Sequence, residues 1–164
     1  NSLLADPSGS FRLGAIAFDH EVVQQVPLAD NPNAALAALN SLVSRNGRTA
    51  PSTSLILAHH WLKHWATYVT APPGVVPTST IVFFTDGLIE PRHDTLPTQM
   101  ACDQISRDNS ITLYAVTLVV NNATVADCAT TPAHHYSTNN ASELSTAFRA
   151  IGSTLRNHAV RLTK

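Results

Sequence analysis

The stretch that decides the fold is Thr80-Ile-Val-Phe-Phe-Thr-Asp-Gly-Leu88. Its four consecutive apolar residues, Ile81 to Phe84, predict a strand buried on both faces, as in the middle of a parallel sheet. Asp86 follows at the carboxyl end of this strand, and Gly87 allows a sharp turn there. Ligands and metals bind at that edge in open α/β sheets. The segment therefore predicts a fold class and the position of a site.

The composition limits the classes of protein to which the chain can belong. Its 164 residues, 44% of them hydrophobic and 13% charged, indicate one globular domain with its own core. The formal net charge is -1, so nucleic acid is not an expected partner. No apolar run approaches the ~20 residues of a membrane span. The start has neither a Met nor a signal segment, so we expect a mature or excised piece that meets a membrane only through a segment absent from this chain.

Periodicity and turn residues predict five strands and five helices. The first two strands lie so close together that we expect an antiparallel hairpin. Strands and helices alternate in the second half, which predicts an α/β fold with a mostly parallel sheet and helices on both faces. The predicted strands span Phe11–Phe18, His20–Leu28, Thr78–Thr85, Ile111–Val120 and His135–Tyr136. The predicted helices span Ala34–Arg45, Thr49–Tyr68, Pro97–Asp108, Val125–Ala129 and Ser142–His158.

The chain contains two cysteines, Cys102 and Cys128. Two are too few for a disulfide scaffold, and neither lies in a Cys-x-x-Cys motif. A bond between them would indicate an oxidising compartment. Alternatively, they are two separate small core residues. The residues themselves leave both interpretations open.

The order of these motifs resembles the von Willebrand factor A domain, a doubly wound sheet with one antiparallel edge strand. Gly47-Arg-Thr49 resembles the family's glycine-threonine helix opening, and Thr85-Asp86-Gly87 resembles its later Thr-Asp-Gly segment. Members often carry a metal-ion-dependent adhesion site. The resemblance implies that Thr49 and Asp86 are metal ligands here, since hydroxyl and carboxylate oxygens suit Mg²⁺ or Ca²⁺.

The last third of the chain resembles the carboxyl end of bacterial TadG-like pilus-assembly proteins, which are extracytoplasmic. This resemblance implies a periplasmic or cell-surface location and a disulfide between Cys102 and Cys128. The residues that carry it are Cys102, Ile105, Ile111–Leu118, Cys128-Ala129, His135-Tyr136, Leu144, Phe148–Ile151, Leu155 and Arg161–Lys164.

The chain departs from the family at its start, where the first strand and first helix have no counterpart. We expect a single von Willebrand A-like domain over residues 1–164 that is incomplete at its N-terminus. The missing strand carries the metal-binding Asp-x-Ser-x-Ser of the family. Asp6-Pro-Ser-Gly-Ser10 matches that pattern, but it lacks the preceding apolar strand and the following helix. We interpret it as a turn.

These observations predict a non-enzymatic protein-binding or assembly module of an adhesion-pilus system. Its partner would be a pilus or cell-envelope protein that docks at the carboxyl edge of the sheet, with metal assistance as an option. The predicted contact residues are Thr49, Asp86, Gly87, Glu90, His93 and Asp94.

Two other functions fit the sequence. The first is a metal-dependent hydrolase, in which zinc-activated water would act at a His59/His60/His64 cluster or in the Asp86 cleft. His60 and His64 have the i, i+4 spacing of zinc sites, although the Glu of His-Glu-x-x-His is missing. The second is a structural subunit that is completed by a strand from another chain.

Overall fold

The computed structural model describes residues 12–29, 31, 33–42, 49–68, 78–90, 93–120 and 122–161. The sequence predicted the type and order of these elements, with boundaries shifted by a few residues. The strands are β1 (Leu13–Phe18), β2 (Val22–Ala29), β3 (Ser79–Thr85), β4 (Ile111–Leu118) and β5 (His135–Thr138). The helices are α1 (Asn33–Asn40), α2 (Ser52–Tyr68), α3 (Thr95–Ser106), α4 (Ala123–Cys128) and α5 (Ala141–Arg161), with a 3-10 turn at Pro132–His134.

The strands form two sheets. β1 and β2 pair in antiparallel orientation, which confirms the predicted hairpin. β3, β4 and β5 form a parallel sheet in that order, so their carboxyl ends lie at one edge. Thr85 at the end of β3 is in register with Thr117 of β4. The alternation of strands and helices therefore gives the expected α/β fold.

β3 differs from the expectation of a strand in the middle of a sheet. Among the described residues it pairs with β4 on one side and has no partner strand on the other. Its two faces also differ, because Ile81 and Phe83 are buried whereas Val82 is 37% exposed. β4 is the central strand, with strands on both sides and six of its eight residues buried.

Two apolar clusters cover the two faces of the parallel sheet. The larger one joins β3 and β4 to α2, α3 and α4. The smaller one joins β4 to α5 through Tyr114, Val116 and Ile151. Cys102 of α3 and Cys128 of α4 form a disulfide within the larger cluster, with their Cα atoms 5.0 Å apart. The disulfide implied by the resemblance is therefore confirmed.

The hairpin is less buried than the parallel sheet. All six residues of β1 are half-buried. α1 packs on the hairpin, and on the opposite face of β1 the Phe18 ring lies 6.0 Å from that of Phe83 in β3. A Cβ atom on Gly14 would lie 2.9 Å from the carbonyl oxygen of Val26, so β2 can approach this closely only because residue 14 is glycine.

α1 ends at Asn40, five residues before the predicted end at Arg45. Ser41 bonds its hydroxyl back to the carbonyl of Ala38, and such local bonds compete with continuation of a helix. The interpretations of Asp6–Ser10 and of Gly47 lie outside the described residues. None of the described helices is both long and apolar enough to cross a bilayer.

Candidate functional site

The dipeptide Thr49–Ala50 joins the hairpin to the parallel sheet at the carboxyl edge. The amide of Ala50 donates to the carbonyl of Asp19, directly after β1, at 2.7 Å. The carbonyl of Thr49 accepts from the amide of Glu90, in the loop after β3, at 2.9 Å. Thr49 also forms a parallel bridge with Ile89. These bonds place Thr49 beside the turn that contains Asp86.

The turn after β3 is fixed by its own hydrogen bonds and by Thr49. The hydroxyl of buried Thr85 accepts from the amide of Gly87 at 3.1 Å. A Cβ atom on Gly87 would lie 2.5 Å from the Thr49 hydroxyl oxygen, so any other residue would displace that hydroxyl. Asp86 between them is exposed. The structure therefore brings Thr49, Asp86 and Gly87 together at the edge that the sequence indicated.

Asp94 directly precedes α3 and is 6% exposed. Its carboxylate accepts from the Ser52 amide at 3.0 Å and from the Thr98 hydroxyl at 2.8 Å, and it also bonds the Ser52 hydroxyl. These bonds connect the first turn of α2 with the first turn of α3. The sequence placed Asp94 among the partner contacts, but its burial makes it a positioning residue that holds the Thr49 segment in place.

Glu90 and His93 complete the set of predicted contact residues. Glu90 is half-buried, and its carbonyl accepts from the Asp94 amide at 3.1 Å and from the Thr95 hydroxyl at 3.4 Å. His93 is exposed next to the buried carboxylate. These bonds hold the backbone of Glu90 against the start of α3, and His93 faces solvent.

Exposed apolar side chains lie in the segments that directly follow β3 and β4, and the sequence did not reveal them. Leu88 is 64% exposed in the loop after β3, and Val119 is 71% exposed directly after β4. Leu96 and Met100 are also exposed, one turn apart at the start of α3. We call this set the carboxyl-edge surface, and its residues are Asp86, Leu88, Leu96, Met100 and Val119.

The backbone at Val119 has a φ of 66°, in the left-handed region. A β-branched residue is strained there, and such strain is common where proteins bind ligands or partners. The amide of Val119 donates to the carbonyl of Thr138 at 2.7 Å, which holds this conformation. The apolar side chain is thereby kept at the exposed end of the central strand.

Thr49 and Asp86 are the two candidate oxygen ligands that the sequence indicated for a metal. A Mg²⁺ or Ca²⁺ ion takes six or more oxygen ligands, and carboxylates usually provide several of them. In the part of the chain that the structure describes, no three His, Cys, Asp or Glu side chains are grouped so that they could hold a metal ion. The described residues therefore do not fit a resident metal by themselves.

The three histidines of α2 do not form one cluster. His59 is buried, and its Nε2 lies 3.2 Å from a carboxylate oxygen of Asp108. His60 and His64 are exposed, and their rings stack with centroids 5.9 Å apart. Adjacent helical residues point about 100° apart, which sends His59 and His60 in different directions. The predicted three-histidine site is therefore wrong.

Asp108 is instead part of a structural contact between α2 and the turn before β4. The Lys63 amine lies 2.8 Å from the same carboxylate oxygen that contacts His59. Ser110 donates both its hydroxyl and its amide to the other oxygen. Hydrogen bonds from Lys63 and then Ser110 hold the pKa of Asp108 well below its usual range. This contact lies apart from the Thr49–Asp86 edge.

Comparison with known proteins bears on the fold. No protein-family model and no curated protein sequence matches the chain. Two solved structures of proximal thread matrix protein 1 (PTMP1) from the mussel byssus match with TM-scores of 0.65 and 0.63, at 13% and 14% identity. Each match covers 88% of this chain but 34% of PTMP1, so the chain spans about a third of that protein. In the second structure the MIDAS motif of PTMP1 is occupied by zinc.

BatB from Bacteroides thetaiotaomicron, described as a conserved hypothetical protein, matches over most of both chains. The TM-score is 0.62 at 17% identity, and the match covers 95% of this chain and 83% of BatB. PTMP1 and BatB both have von Willebrand A-like domains. The chain therefore has a von Willebrand A-like α/β fold.

Proposed function

We propose that this chain is a non-enzymatic protein-binding module that contacts its partner through the carboxyl-edge surface. The observation that carries the proposal is an exposed carboxylate, Asp86, among exposed apolar side chains on loops that follow adjacent parallel strands. Apolar side chains around few charges are typical of the centre of a protein interface. Exposed apolar clusters of this kind commonly mark interaction sites.

The surface is fixed before a partner binds. The hydroxyl of Thr49 lies against Gly87, and the buried Asp94 holds the adjoining turns of α2 and α3. A surface that is already ordered loses less conformational entropy on association. Asp86 favours a partner that brings a Lys or Arg side chain with an apolar surround. We therefore propose a folded partner with one basic residue at the centre of its apolar contact face.

The cellular setting is part of the proposal. The Cys102–Cys128 disulfide supports an oxidising compartment, such as the bacterial periplasm or cell surface. The resemblance of the last third of the chain to TadG-like proteins supports an adhesion-pilus system. The partner would then be a pilus or cell-envelope protein. The proposed contact does not require a metal, since apolar contact and the Asp86 charge supply the binding.

Site-specific photo-crosslinking tests the proposal. A photoreactive residue at Leu88 should give a discrete crosslinked product in cells that make the protein. The matched control is the same residue at Leu39, which is 49% exposed on α1 of the hairpin and should give none. Asp86→Lys should abolish the Leu88 product, because it places like charges against each other. Asp103→Lys, an exposed change on α3, should leave the product unchanged.

Two results would contradict this function. One is equal crosslinking from Leu88 and Leu39, which would show that exposure alone explains the product. The other is a Leu88 product that persists in Asp86→Lys. Crosslinking in the presence of a chelator separates the metal question, since loss of the product there would show that a divalent cation takes part.

A further inference from the structure

We propose that α2 binds one divalent transition-metal ion, such as Zn²⁺, through the imidazoles of His60 and His64. Both side chains are exposed, and their rings stack with centroids 5.9 Å apart and planes inclined by 12°. Residues four positions apart lie on one face of a helix, which sets the two rings side by side. The proposal is independent of the carboxyl-edge surface, because it uses neither Asp86 nor the loops around it.

The distance between the two rings suits a shared ion. An imidazole nitrogen binds Zn²⁺ at about 2.1 Å, which places the ion about 3.2 Å from the centroid of that ring. Two rings on one ion therefore have centroids at most about 6.4 Å apart, and about 5.2 Å apart around a tetrahedral ion. The observed 5.9 Å lies between these two values. Exposed side chains change rotamer within nanoseconds, so one nitrogen of each ring can turn to the ion.

His59 shows how a histidine with a structural role is placed in the same helix. It is buried, and its Nε2 lies 3.2 Å from a carboxylate oxygen of Asp108. His60 and His64 are exposed instead, so packing of the core does not require an imidazole at either position. The pair is accessible to an ion from solution.

The permanent charge of α2 is compensated, so it does not repel a cation. Lys63 is the one residue in the α2 sequence with a permanent charge, and its amine lies 2.8 Å from a carboxylate oxygen of Asp108. The opposite charge of that carboxylate offsets the charge of the amine. Both cysteines of the chain are joined in the disulfide, so no thiolate of this chain competes for the ion.

The two imidazoles determine the class of ion. Imidazole nitrogen suits Zn²⁺, Cu²⁺ and Ni²⁺, whereas Mg²⁺ and Ca²⁺ prefer oxygen ligands. In the described part of the chain, no third His, Cys, Asp or Glu joins the pair. Water therefore occupies the other positions of the bound ion, as it does where a zinc site is left open.

Titration calorimetry with Zn²⁺ tests the proposal on the full chain, made without an affinity tag. One ion should bind per chain, and excess Mg²⁺ should not displace it. His60→Ala and His64→Ala should each weaken binding at least about tenfold, because loss of even an outer-shell partner of a metal ligand typically costs that much. Ala favours a helix, so both variants should keep the fold. His20→Ala, an exposed change between β1 and β2, should leave binding unchanged.

A second pair with the same spacing separates the geometry of the pair from other effects of the substitutions. Ile56 is 49% exposed and lies four residues before His60. Ile56→His in the His64→Ala chain should therefore restore binding, because it rebuilds an i, i+4 pair on that face of α2. Asp86→Asn should leave binding unchanged, which distinguishes this site from an ion at the Thr49–Asp86 edge.

Three results would overturn the proposal. Wild-type affinity in His60→Ala or His64→Ala would show that the pair does not chelate the ion. Failure of Ile56→His to restore binding would show that the spacing of the two rings does not explain it. One ion per two chains, together with a dimer in sedimentation, would assign the ligands to two copies instead of one helix.

Discussion

β4 and β1 are both apolar strands, yet the structure buries them very differently. Six of the eight residues of β4 are buried, whereas all six residues of β1 are half-buried. β4 has strands on both sides and helices over both faces, while β1 has β2 on one side. An apolar sequence therefore determines that a strand forms, but its neighbours determine how much it stabilises the fold. We expect the hairpin to open locally at a lower free energy than the parallel sheet.

The candidate site lies where these two parts meet. Thr49–Ala50 bonds to the hairpin through Asp19 and to the parallel part through Glu90. The Asp94 carboxylate accepts from the amide of Ser52, in the turn that follows Thr49–Ala50. The carboxyl-edge surface thus rests on the stable part of the molecule, while its Thr49 side also depends on the hairpin. Substitutions in the hairpin, at the Thr49 junction and in the parallel sheet should show how much each contributes to stability.

Removal of the disulfide should lower the free energy of unfolding more than any other change proposed here. It acts on the parallel sheet and the helices that cover it. Replacing both Cys102 and Cys128 by Ala should lower the free energy of unfolding by about 3.5 kcal/mol, since the bond closes a loop of 26 residues. Urea denaturation of the two proteins measures this difference. The gap in exchange rate between β4 and β1 should narrow. A loss below about 1 kcal/mol would contradict the claim that the disulfide is a main source of stability for the parallel sheet and its helices.

Asp94→Ala should weaken the junction of the two parts by about 3 kcal/mol. The Ser52 amide and the hydroxyls of Ser52 and Thr98 would lose a charged acceptor in a buried place. The matched control is Asp103→Ala, an exposed change in α3, the helix that begins directly after Asp94, and it should cost within about 0.5 kcal/mol. Thermal or urea unfolding compares them, and equal losses would show that Asp94 does not hold the junction.

Gly14→Val should destabilise the hairpin by about 2 kcal/mol, because a Cβ atom there would lie 2.9 Å from the Val26 carbonyl oxygen. The effect should be local. Amides of β1 and β2 should exchange faster, while those of β4 should change little. If hydrogen exchange of the β4 amides becomes faster by as much as that of the β1 amides, the hairpin and the parallel sheet unfold as one unit. The hairpin would then not be less stable than the parallel sheet.

Asp108→Asn should cost about 1 kcal/mol at neutral pH, because Lys63, His59 and Ser110 lose a charged acceptor. The folded-state pKa of Asp108 is lowered, so its contribution is fully present above the unfolded-state pKa of about 4. It is lost as the pH falls further towards the folded-state pKa. Wild type and Asp108→Asn should therefore converge in stability as the pH is lowered below about 4, and a difference that stays constant with pH would contradict this origin.

The sequence was sufficient to predict the strands and helices, but not which elements pack beside each of them. The β-branched run of β4 and the spacing of α3 predict their type because both depend on local residues. The apolar run of β3 looks the same whether one face of the strand or both are covered, so its exposed Val82 could not be foreseen. The disulfide followed from the family resemblance, since Cys102 and Cys128 are 26 residues apart and lack a local signature.

The roles of individual site residues also depend on contacts with distant parts of the chain, which the sequence does not reveal. Asp94 in a polar loop was interpreted as a partner contact, but its main partner, Ser52, lies 42 residues earlier in the chain. Leu88 and Ile89 are similar neighbours in sequence, yet Leu88 is 64% exposed and Ile89 is 3% exposed. Only the tertiary structure determines which of the two faces solvent. The Thr49–Asp86 edge could be predicted because the end of a buried strand fixes its position.

Residue-resolved hydrogen exchange of the monomeric chain alone tests the central claim most directly. Amides of Ile111–Leu118 should exchange only through global unfolding. Amides of Leu13–Phe18 should exchange at least about 100-fold faster, through local opening of the hairpin. Equal protection of the two strands would contradict the claim that the parallel sheet is the stable part and that the hairpin is held beside it by the Thr49 junction.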